Sequence, residues 1–336
     1  MKVLITGGAG FIGSALGHKL LDQGNQVYAI DNLNDYYEVS LKQARLERLS
    51  IRNGFEFKEM DIVNRSDMES LFSSHSFDIV MHLAAQAGVR YSIENPAAYI
   101  DSNLVGFGNI LEGCRHSKVA HLVYASSSSV YGGNTKTPFS ESDPVNHPVS
   151  LYAATKRANE MMAHSYAHLY QLPCTGLRFF TVYGPWGRPD MAFFKFTKMI
   201  LAGEPIPVFN NGNLSRDFTY IDDIVQGILQ VFKNTPKADP NFNSDLPDPG
   251  TSSAPFRVLN IGNGQQVQLL DYIKALENAL GVKAEYNFLP MQPGDVYTTY
   301  ADTQSLADIT GYKAGTRVEE GLKKFADWYR EYYNVL

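Results

Sequence analysis

A tyrosine and a lysine four residues apart are the residues of this sequence best suited to proton transfer. Tyr152 and Lys156 stand in the run YAATK, and a helix predicted over residues 152–169 places both side chains on one face. A phenol with an ordinary pKa of about 10 is a poor base at neutral pH. A neighbouring ammonium stabilises the phenolate and lowers that pKa, so the tyrosine can take a proton from a hydroxyl as hydride leaves the same carbon. The same spacing alone is also common on solvated helix faces.

A serine-rich turn precedes this helix in the chain. Four consecutive serines, Ser126 to Ser129, follow an apolar stretch that begins at Ala120 and is typical of a strand. Ser127 lies 25 residues before Tyr152. Two interpretations stay open, namely a polar turn or a set of hydroxyl donors that face a substrate.

The amino-terminal residues carry the pattern of a dinucleotide-binding unit. A strand-like run over residues 2–6 leads into the glycine turn GGAGFIG, and a helix is predicted from Ser14 to Gln23. A second strand, residues 26–30, ends at Asp31. Strand, glycine turn, helix, strand and acidic residue together form the context that a dinucleotide fingerprint requires.

The types of these residues indicate what they would bind. Gly7 permits a tight turn, Gly10 lets the backbone approach a pyrophosphate, and Gly13 lets the helix pack on the strand. The helix N-terminus attracts the phosphates. Asp31 can accept hydrogen bonds from both ribose hydroxyls and its charge repels a 2′-phosphate, so the sequence predicts NAD rather than NADP. The glycines are spaced by three and three residues, unlike the standard fingerprint, and a glycine turn without a ligand is the alternative interpretation.

Strands and helices alternate through the first half of the chain. Further strands are predicted at residues 55–61, 78–84, 120–126 and 174–180, with a long helix over Pro96–Cys114 between two of them. This alternation predicts an α/β fold with a doubly wound parallel Rossmann sheet. Ligands of such sheets bind beyond the carboxyl ends of the strands. Five residues fall at such ends: Gly10, Asp31, Asp61, Ala84 and Ser126.

The pattern loosens in the second half, where we expect a smaller C-terminal α/β lobe that binds the substrate. The predicted Rossmann domain covers residues 1–182, and residues 183–336 mainly form the smaller lobe. Segments 216–234 and 256–264 are expected to return to the first domain. Residues 235–255, rich in Pro, Asp, Asn and Ser, are predicted to form a surface loop.

The composition limits the classes of partner and location. Lys and Arg number 29 against 35 Asp and Glu, a net charge of −6, so there is no global attraction for nucleic acid or for an anionic membrane. We expect Cys114 and Cys174 to be buried, reduced thiols, and we predict no metal site. No apolar run reaches membrane-spanning length. Because the first strand begins at residue 2, we expect no signal peptide and predict a cytoplasmic protein.

These residues together resemble the extended short-chain dehydrogenase/reductases that act on nucleotide sugars, the NAD-dependent epimerase/dehydratases. The resemblance covers essentially the whole chain. Its motifs are the glycine turn, Asp31-Asn32, Asp61-Ile62, His82 to Ala85, Asn103, Ser127, Tyr152, Lys156 and Arg178 to Phe180. Within the family, residues 85–92, 126–132, 180–191 and 291–296 are most similar to the UDP-glucuronate 4-epimerases, which interconvert UDP-glucuronate and UDP-galacturonate.

The resemblance implies a reaction and a cofactor. Tyr152 would deprotonate the hydroxyl on carbon 4, Lys156 would hold the tyrosine pKa down and bind the nicotinamide ribose, and Ser127 would bind the oxygen on carbon 4. The 4-keto sugar would rotate and take hydride back on its other face. The implied NAD contacts are Gly7, Gly10, Phe11, Ile12, Gly13, Asp31, Asn32, Asp61, Ile62, Leu83, Ala84, Ala85, Asn103, Tyr152, Lys156 and Phe179.

A uronate substrate adds a further demand, because oxidation at carbon 4 makes a β-keto acid that loses carbon dioxide readily. We hypothesise that a group of hydroxyls, assisted by Arg188, holds the carboxylate out of alignment with the carbonyl. The hydroxyls are those of Ser126, Ser127, Ser128 and Thr181.

Three further residues are candidates for the substrate site. Arg216 would bind the diphosphate, or else form a surface salt bridge with Asp217. Arg90 would face the nucleotide or the uronate, or else cap a helix. Asp295 would bind the uridine ribose, or else a turn.

Differences between this sequence and the motifs of related enzymes help to distinguish the alternative activities. Ser128 and Ser129 stand where sugar-nucleotide dehydratases carry Asp-Glu, and Ser129 stands where the decarboxylases carry Glu. Thr181 and Gln292 replace an Asn and an Arg of galactose epimerases. A UDP-hexose 4-epimerase or a UDP-glucuronate decarboxylase remains the alternative, and a non-catalytic NAD-sensing module is a remote one. The family also implies a homodimer through the two long helices, although their apolar positions could equally pack within the chain.

Overall fold

The computed structural model describes residues 1–292 and 296–335. Its strands are β1 (Lys2–Thr6), β2 (Gln26–Asp31), β3 (Phe55–Glu59), β4 (Ile79–His82), β5 (His121–Ser127), β6 (Cys174–Phe179), β7 (Thr181–Tyr183), β8 (Ile206–Phe209), β9 (Ser215–Tyr220), β10 (Phe256–Ile261), β11 (Gln266–Gln268) and β12 (Tyr286–Leu289). Its helices are α1 (Phe11–Asp22), α2 (Val39–Ser50), α3 (Arg65–Ser74), α4 (Tyr91–Glu94), α5 (Pro96–Tyr99), α6 (Phe107–His116), α7 (Leu151–Tyr170), α8 (Ala192–Ala202), α9 (Ile221–Phe232), α10 (Leu269–Leu280), α11 (Gln304–Thr310) and α12 (Val318–Tyr333).

A seven-stranded parallel sheet forms the centre of the fold and confirms the predicted α/β class. The strand order is β10-β6-β5-β4-β1-β2-β3, and every neighbouring pair runs parallel. The order reverses direction at β1 and β4, which is the switch point where ligands of doubly wound sheets bind. β10 pairs with β6 over its whole length, so the chain returns to this sheet after residue 255.

Alternation along the strands sends apolar side chains into two layers of helices. Val3 and Ile5 of β1 join an apolar cluster that includes residues of α1, α2 and α9. Leu4, between them, joins a second cluster with residues of α3, α6 and α7 on the opposite face. Burial of both faces explains the nearly continuous apolar runs of the central strands.

Two small sheets build the smaller lobe. β7, β9 and β11 form one, and β8 pairs with β12 in the other. β9 therefore does not join the main sheet, whereas α9, which follows it, packs against α1. One apolar cluster runs from Leu16 of α1 to Phe325 of α12, so the lobe shares a core with the main sheet. The predicted division of the chain at residue 182 stays a prediction.

The helix predicted over Pro96–Cys114 is interrupted, and this prediction is corrected. A π-helical segment, Ile100–Gly106, separates α5 from α6. The wider turn accommodates Asn103, whose carbonyl accepts a hydrogen bond from Asn159 at 2.6 Å. Long-range contacts of this kind leave no trace in local periodicity, and single π-turns often mark functional positions.

Helix α1 begins three residues earlier than predicted, at Phe11 instead of Ser14. The amide of Ser14 already donates to the carbonyl of Gly10 at 3.0 Å, so the first turn of the helix is part of the glycine turn.

In the described residues, no helix combines the length and the apolar character needed to cross a membrane.

Candidate active site

One large cavity, of about 680 Å³, lies beyond the carboxyl ends of the central strands and below the smaller lobe. It brings together the cofactor residues predicted from the sequence, with Asn103 as the exception. These are Gly7, Gly10, Phe11, Ile12, Gly13, Asp31, Asn32, Asp61, Ile62, Leu83, Ala84, Ala85, Tyr152, Lys156 and Phe179. Predicted substrate residues also line it, namely Arg90, Ser126, Ser127, Ser128, Thr181, Arg188 and Arg216. Asp295 lies outside the described residues.

The glycine turn packs too closely for side chains. Gly7 has a φ of +75°, and a Cβ there would lie 2.8 Å from the amide nitrogen of Ala84. A Cβ on Gly13 would lie 2.2 Å from the carbonyl oxygen of Gly7. The turn therefore has no room for side chains at Gly7 and Gly13, and the N-terminus of α1 opens to the cavity. This geometry fits the pyrophosphate of a dinucleotide.

Asp31 is held at the rim of this turn. Its Oδ2 accepts a hydrogen bond from the amide of Ala9 at 3.1 Å, and Oδ1 accepts one from Leu33 at 2.9 Å. Burial raises the pKa of Asp31, while these amides and the nearby Lys42 and Arg45 act in the opposite direction. Asp31 lines the cavity, and each carboxylate oxygen can accept a further hydrogen bond, as the predicted ribose contact requires.

Tyr152 and Lys156 lie on the first two turns of α7. Ser150 caps this helix, since its hydroxyl accepts a hydrogen bond from the amide of Ala153 at 3.1 Å. Lys156 is buried, and its Nζ donates to the carbonyl of Ala125 on β5 at 2.9 Å. The pair thus faces the carboxyl end of β5, where the serine turn begins.

The expected lowering of the Tyr152 pKa by Lys156 is not found in the protein alone. Burial raises the pKa of Tyr152, opposed by a hydrogen bond with Ser127 and by the charge of Arg188. Desolvation also lowers the pKa of Lys156 to about 8. The same loss of water therefore favours the neutral forms of both groups.

All four serines of the turn line the cavity, and two of their hydroxyls also form hydrogen bonds within the protein. Ser126 lines the cavity and its hydroxyl donates to Glu160 at 2.7 Å. That this hydroxyl also binds the substrate stays a prediction, because a donating hydroxyl can still accept hydrogen bonds. Ser127 accepts a hydrogen bond from the amide of Ser129 at 3.1 Å and also contacts Tyr152. Ser128 lines the cavity, as does Thr181 of β7.

Asn103 supports the cofactor side of the cavity from behind. Its Oδ1 accepts from the amide of Gln86 at 2.9 Å, and its Nδ2 donates to the carbonyl of Gln86 and to Thr155, each at 3.0 Å. With its amide used in this way and 1% exposed, it does not line the cavity. The prediction of a direct cofactor contact is corrected to a role in holding the loop after β4.

Charged residues of the substrate side come from separate elements. Arg188 forms a bidentate pair with Asp190, at 3.0 and 2.5 Å. Burial by itself would raise the pKa of Asp190, but the Arg188 guanidinium holds it below its ordinary value. Arg90 stands over the ring of Phe209 at 5.4 Å, so the two sides of the cavity touch at this point.

Arg216 of β9 donates to the carbonyls of Ser215 and Tyr297, at 2.9 and 3.2 Å. Its strand neighbour Asp217 points to the opposite face and accepts hydrogen bonds from the amides of Asn263 and Gly264. Strand geometry therefore disfavours the salt bridge considered from the sequence.

Several lining residues were missed in the sequence. Tyr36 and Lys42 follow Asp31 and line the cavity, and the Tyr36 hydroxyl donates to Asp190 at 3.3 Å. The sequence offered one signal for this group, namely Asp190 two residues after Arg188, because neighbouring opposite charges often pair.

The structure brings no group of three or more His, Cys, Asp or Glu together for a metal in its described residues.

The lowered pKa of Lys156 gives a prediction for stability. Between pH of about 8 and 10.5, the unfolded chain holds a proton that the folded chain has released, so the free energy of unfolding rises with pH. Urea unfolding of the cofactor-free protein should therefore gain stability across this window relative to Lys156→Met. Lys58→Met, which removes an exposed lysine, is the control and should follow the parent. A constant difference between parent and Lys156→Met would contradict the assignment.

Comparisons with known proteins agree with this site. Residues 3–243 match the model of the NAD dependent epimerase/dehydratase family. The chain is 55% identical to Protein CapI of Staphylococcus aureus, with 99% of each chain covered. It is 47% identical to a probable UDP-glucuronate 4-epimerase of Rhizobium meliloti, covering 99% of this chain and 98% of that one.

A solved structure extends the match to three dimensions. The UDP-glucuronic acid 4-epimerase of Bacillus cereus, crystallised with UDP-glucuronic acid and NAD, superposes with a TM-score of 0.88 at 34% identity. The match covers 99% of this chain and all of that one. The chain therefore belongs to the NAD-dependent epimerase/dehydratase family.

Proposed function

We propose that the protein is an NAD-dependent 4-epimerase that interconverts UDP-glucuronate and UDP-galacturonate through a 4-keto intermediate. The observation that carries the proposal is one cavity in which the glycine turn and Asp31 adjoin Tyr152, Lys156 and a serine turn without acidic residues. The names of the Rhizobium and Bacillus relatives support the same substrate.

The residues divide the work between proton transfer and orientation. Tyr152 takes the proton from the hydroxyl on carbon 4 and later returns it, and Ser127, in contact with the phenol, binds the same oxygen. Lys156, anchored to Ala125, provides the charge that stabilises the phenolate. Bound NAD⁺ supplies reversible hydride acceptance, so the sugar needs no second redox partner. Asp31 and the glycine turn hold this cofactor in register with the sugar.

The uronate carboxylate needs separate restraint during the ketone stage. Decarboxylation requires the bond to the carboxylate to align with the carbonyl π system. Ser128 and Thr181 both offer hydroxyls to the cavity. Arg188, which is partly buried, adds a positive charge that Asp190 keeps in place. We assign the restraint chiefly to these three residues, because the hydroxyl of Ser126 donates to Glu160 and Ser127 contacts the phenol of Tyr152.

The first test is product analysis with purified protein and UDP-glucuronate, without added cofactor. We expect UDP-galacturonate, and we expect Tyr152→Phe to lower turnover by about 10²–10⁴-fold, the usual contribution of a positioned acid–base group. Tyr170→Phe, on the last turn of the same helix, should retain activity. A UDP-pentose product would identify a decarboxylase, and activity only on UDP-glucose would identify a hexose epimerase. If the protein is instead a non-catalytic NAD-sensing module, Tyr152→Phe should leave that sensing function intact.

A second test concerns the carboxylate. Ser128→Ala or Thr181→Ala should raise the share of UDP-pentose among the products, because the ketone then samples the aligned geometry. Ser126→Ala is the contrast, since its hydroxyl serves Glu160 and its loss should lower thermal stability without altering the product ratio. Unchanged ratios in both cavity variants would contradict the proposed restraint.

We also propose that the protein is a cytoplasmic homodimer. Ile100 and Val105 lie five residues apart in the π-helical segment and thus on one face, and they are 40% and 41% exposed. Met161 and Leu169 of α7, which packs beside this segment, are 47% and 65% exposed. Adjacent exposed apolar residues on two long helices are suited to a two-fold helical interface. The free, buried Cys114 and Cys174 are consistent with a reducing compartment.

Light scattering after size-exclusion chromatography tests the dimer. Met161→Asp places a charge on the proposed interface, and we expect it to shift the protein to the mass of a monomer. Leu246→Asp changes an 80% exposed leucine of the loop before β10 and should leave the mass unchanged. A parent protein that already elutes as a monomer would refute the interface.

A further inference from the structure

Arg45 of α2 is a fully buried cation, 0% exposed. Within the described residues its guanidinium forms no ion pair, in contrast to Arg178, which pairs with Glu160. Removing an unpaired charge from water is costly. The contacts that compensate for this burial therefore indicate what the residue does.

All five N–H donors of Arg45 have acceptors. Nε and Nη2 donate to the carbonyl of Trp186, at 3.1 and 2.7 Å, and Nη2 also donates to Gly187 at 3.0 Å. Nη1 donates to the carbonyl of Ala9 at 3.0 Å and to the Tyr37 hydroxyl at 2.8 Å. The rigid planar fork of an arginine is the one side chain that can join acceptors spread in this way.

The acceptors belong to both halves of the proposed site. Ala9 lies in the glycine turn, and its amide donates to Asp31. Trp186 and Gly187 precede Arg188, which faces the cavity. The chain of hydrogen bonds thus runs from Asp31 through Ala9 and Arg45 to the backbone that carries Arg188.

The loop needs such support because its backbone is strained. Trp186 has a φ of +63°, a left-handed conformation that is costly for a residue with a large side chain. Arg48, one helical turn after Arg45, lies over the Trp186 ring at 4.4 Å. The ring is therefore held by Arg48 and the backbone by Arg45.

We propose that Arg45 is a positioning residue that couples occupation of the dinucleotide turn to the conformation of the Trp186–Arg188 loop, and so to substrate affinity. The inference rests on the proposed function for the identity of the two ligands. A ligand seated on the glycine turn fixes the carbonyl of Ala9, which orients the guanidinium and, through it, the carbonyls of Trp186 and Gly187.

The experiment measures how one ligand changes the affinity for the other. All variants are made in a Tyr152→Phe background, so that UDP-glucuronate binds without turnover. After bound NAD has been removed from the protein, the Kd of UDP-glucuronate is determined by calorimetry with and without ADP-ribose. This ligand fills the turn but lacks the nicotinamide, so it cannot contact the sugar through that group. We expect ADP-ribose to tighten binding by roughly fivefold or more in the parent, within the usual range of coupling between sites.

Arg45→Met should bring the ratio of the two Kd values close to one, and Arg45→Lys, which keeps the charge but not the fork, should do so while disturbing the fold less. Arg48→Met is the matched control and should keep the parental ratio, because it removes only the contact with the ring. A change in stability alone would not move this ratio.

Three results would overturn the inference: no enhancement by ADP-ribose in the parent, an unchanged ratio in both Arg45 variants, or an equal loss in Arg48→Met. Failure of UDP-glucuronate to bind even the NAD-loaded parent would overturn the proposed function together with the inference. Normal binding without enhancement would overturn the inference alone.

Discussion

The site depends on one face of α7, whose charged residues must find partners away from water. Tyr152, Lys156 and Glu160 succeed one another at intervals of four residues and so share this face. Lys156 bonds the carbonyl of Ala125, and Glu160 bonds Ser126, both at the end of β5. The helix therefore has one position on the sheet, and that position sets Tyr152 beside the serine turn.

The Glu160–Arg178 pair gives this arrangement its uniqueness more than its stability. Both side chains are fully buried, and two N–H groups of Arg178 bond the two carboxylate oxygens at 2.9 and 3.0 Å. The attraction of such a pair is largely offset by the desolvation of its members, whereas a displaced pair would leave two uncompensated charges. Any shift of α7 along the sheet meets this penalty, and the same pair occupies the hydroxyl of Ser126.

The sequence was sufficient for features that depend on local pattern. The glycine turn, Asp31 and the Tyr152–Lys156 pair were predicted because turn chemistry and helical spacing are written in neighbouring residues. The contacts of Asn103, Ser126 and the π-helical segment were not foreseen, because their partners, at Gln86, Glu160 and Asn159, are distant in the chain. Such long-range contacts decide to which side of a turn a hydroxyl points, and they cannot be predicted from the local periodicity of the sequence.

Burial changes the protonation equilibria of the two residues to which we assign proton transfer, Tyr152 and Lys156. It raises the pKa of Tyr152 and lowers that of Lys156, so the protein alone favours a neutral phenol. The phenolate becomes more favourable when positive charge beyond that of Lys156 is added close to the ring, since a low dielectric strengthens that attraction. A site of this kind is a weak base without its cofactor and a stronger one with it, which ties proton removal to the presence of the group that must accept the hydride.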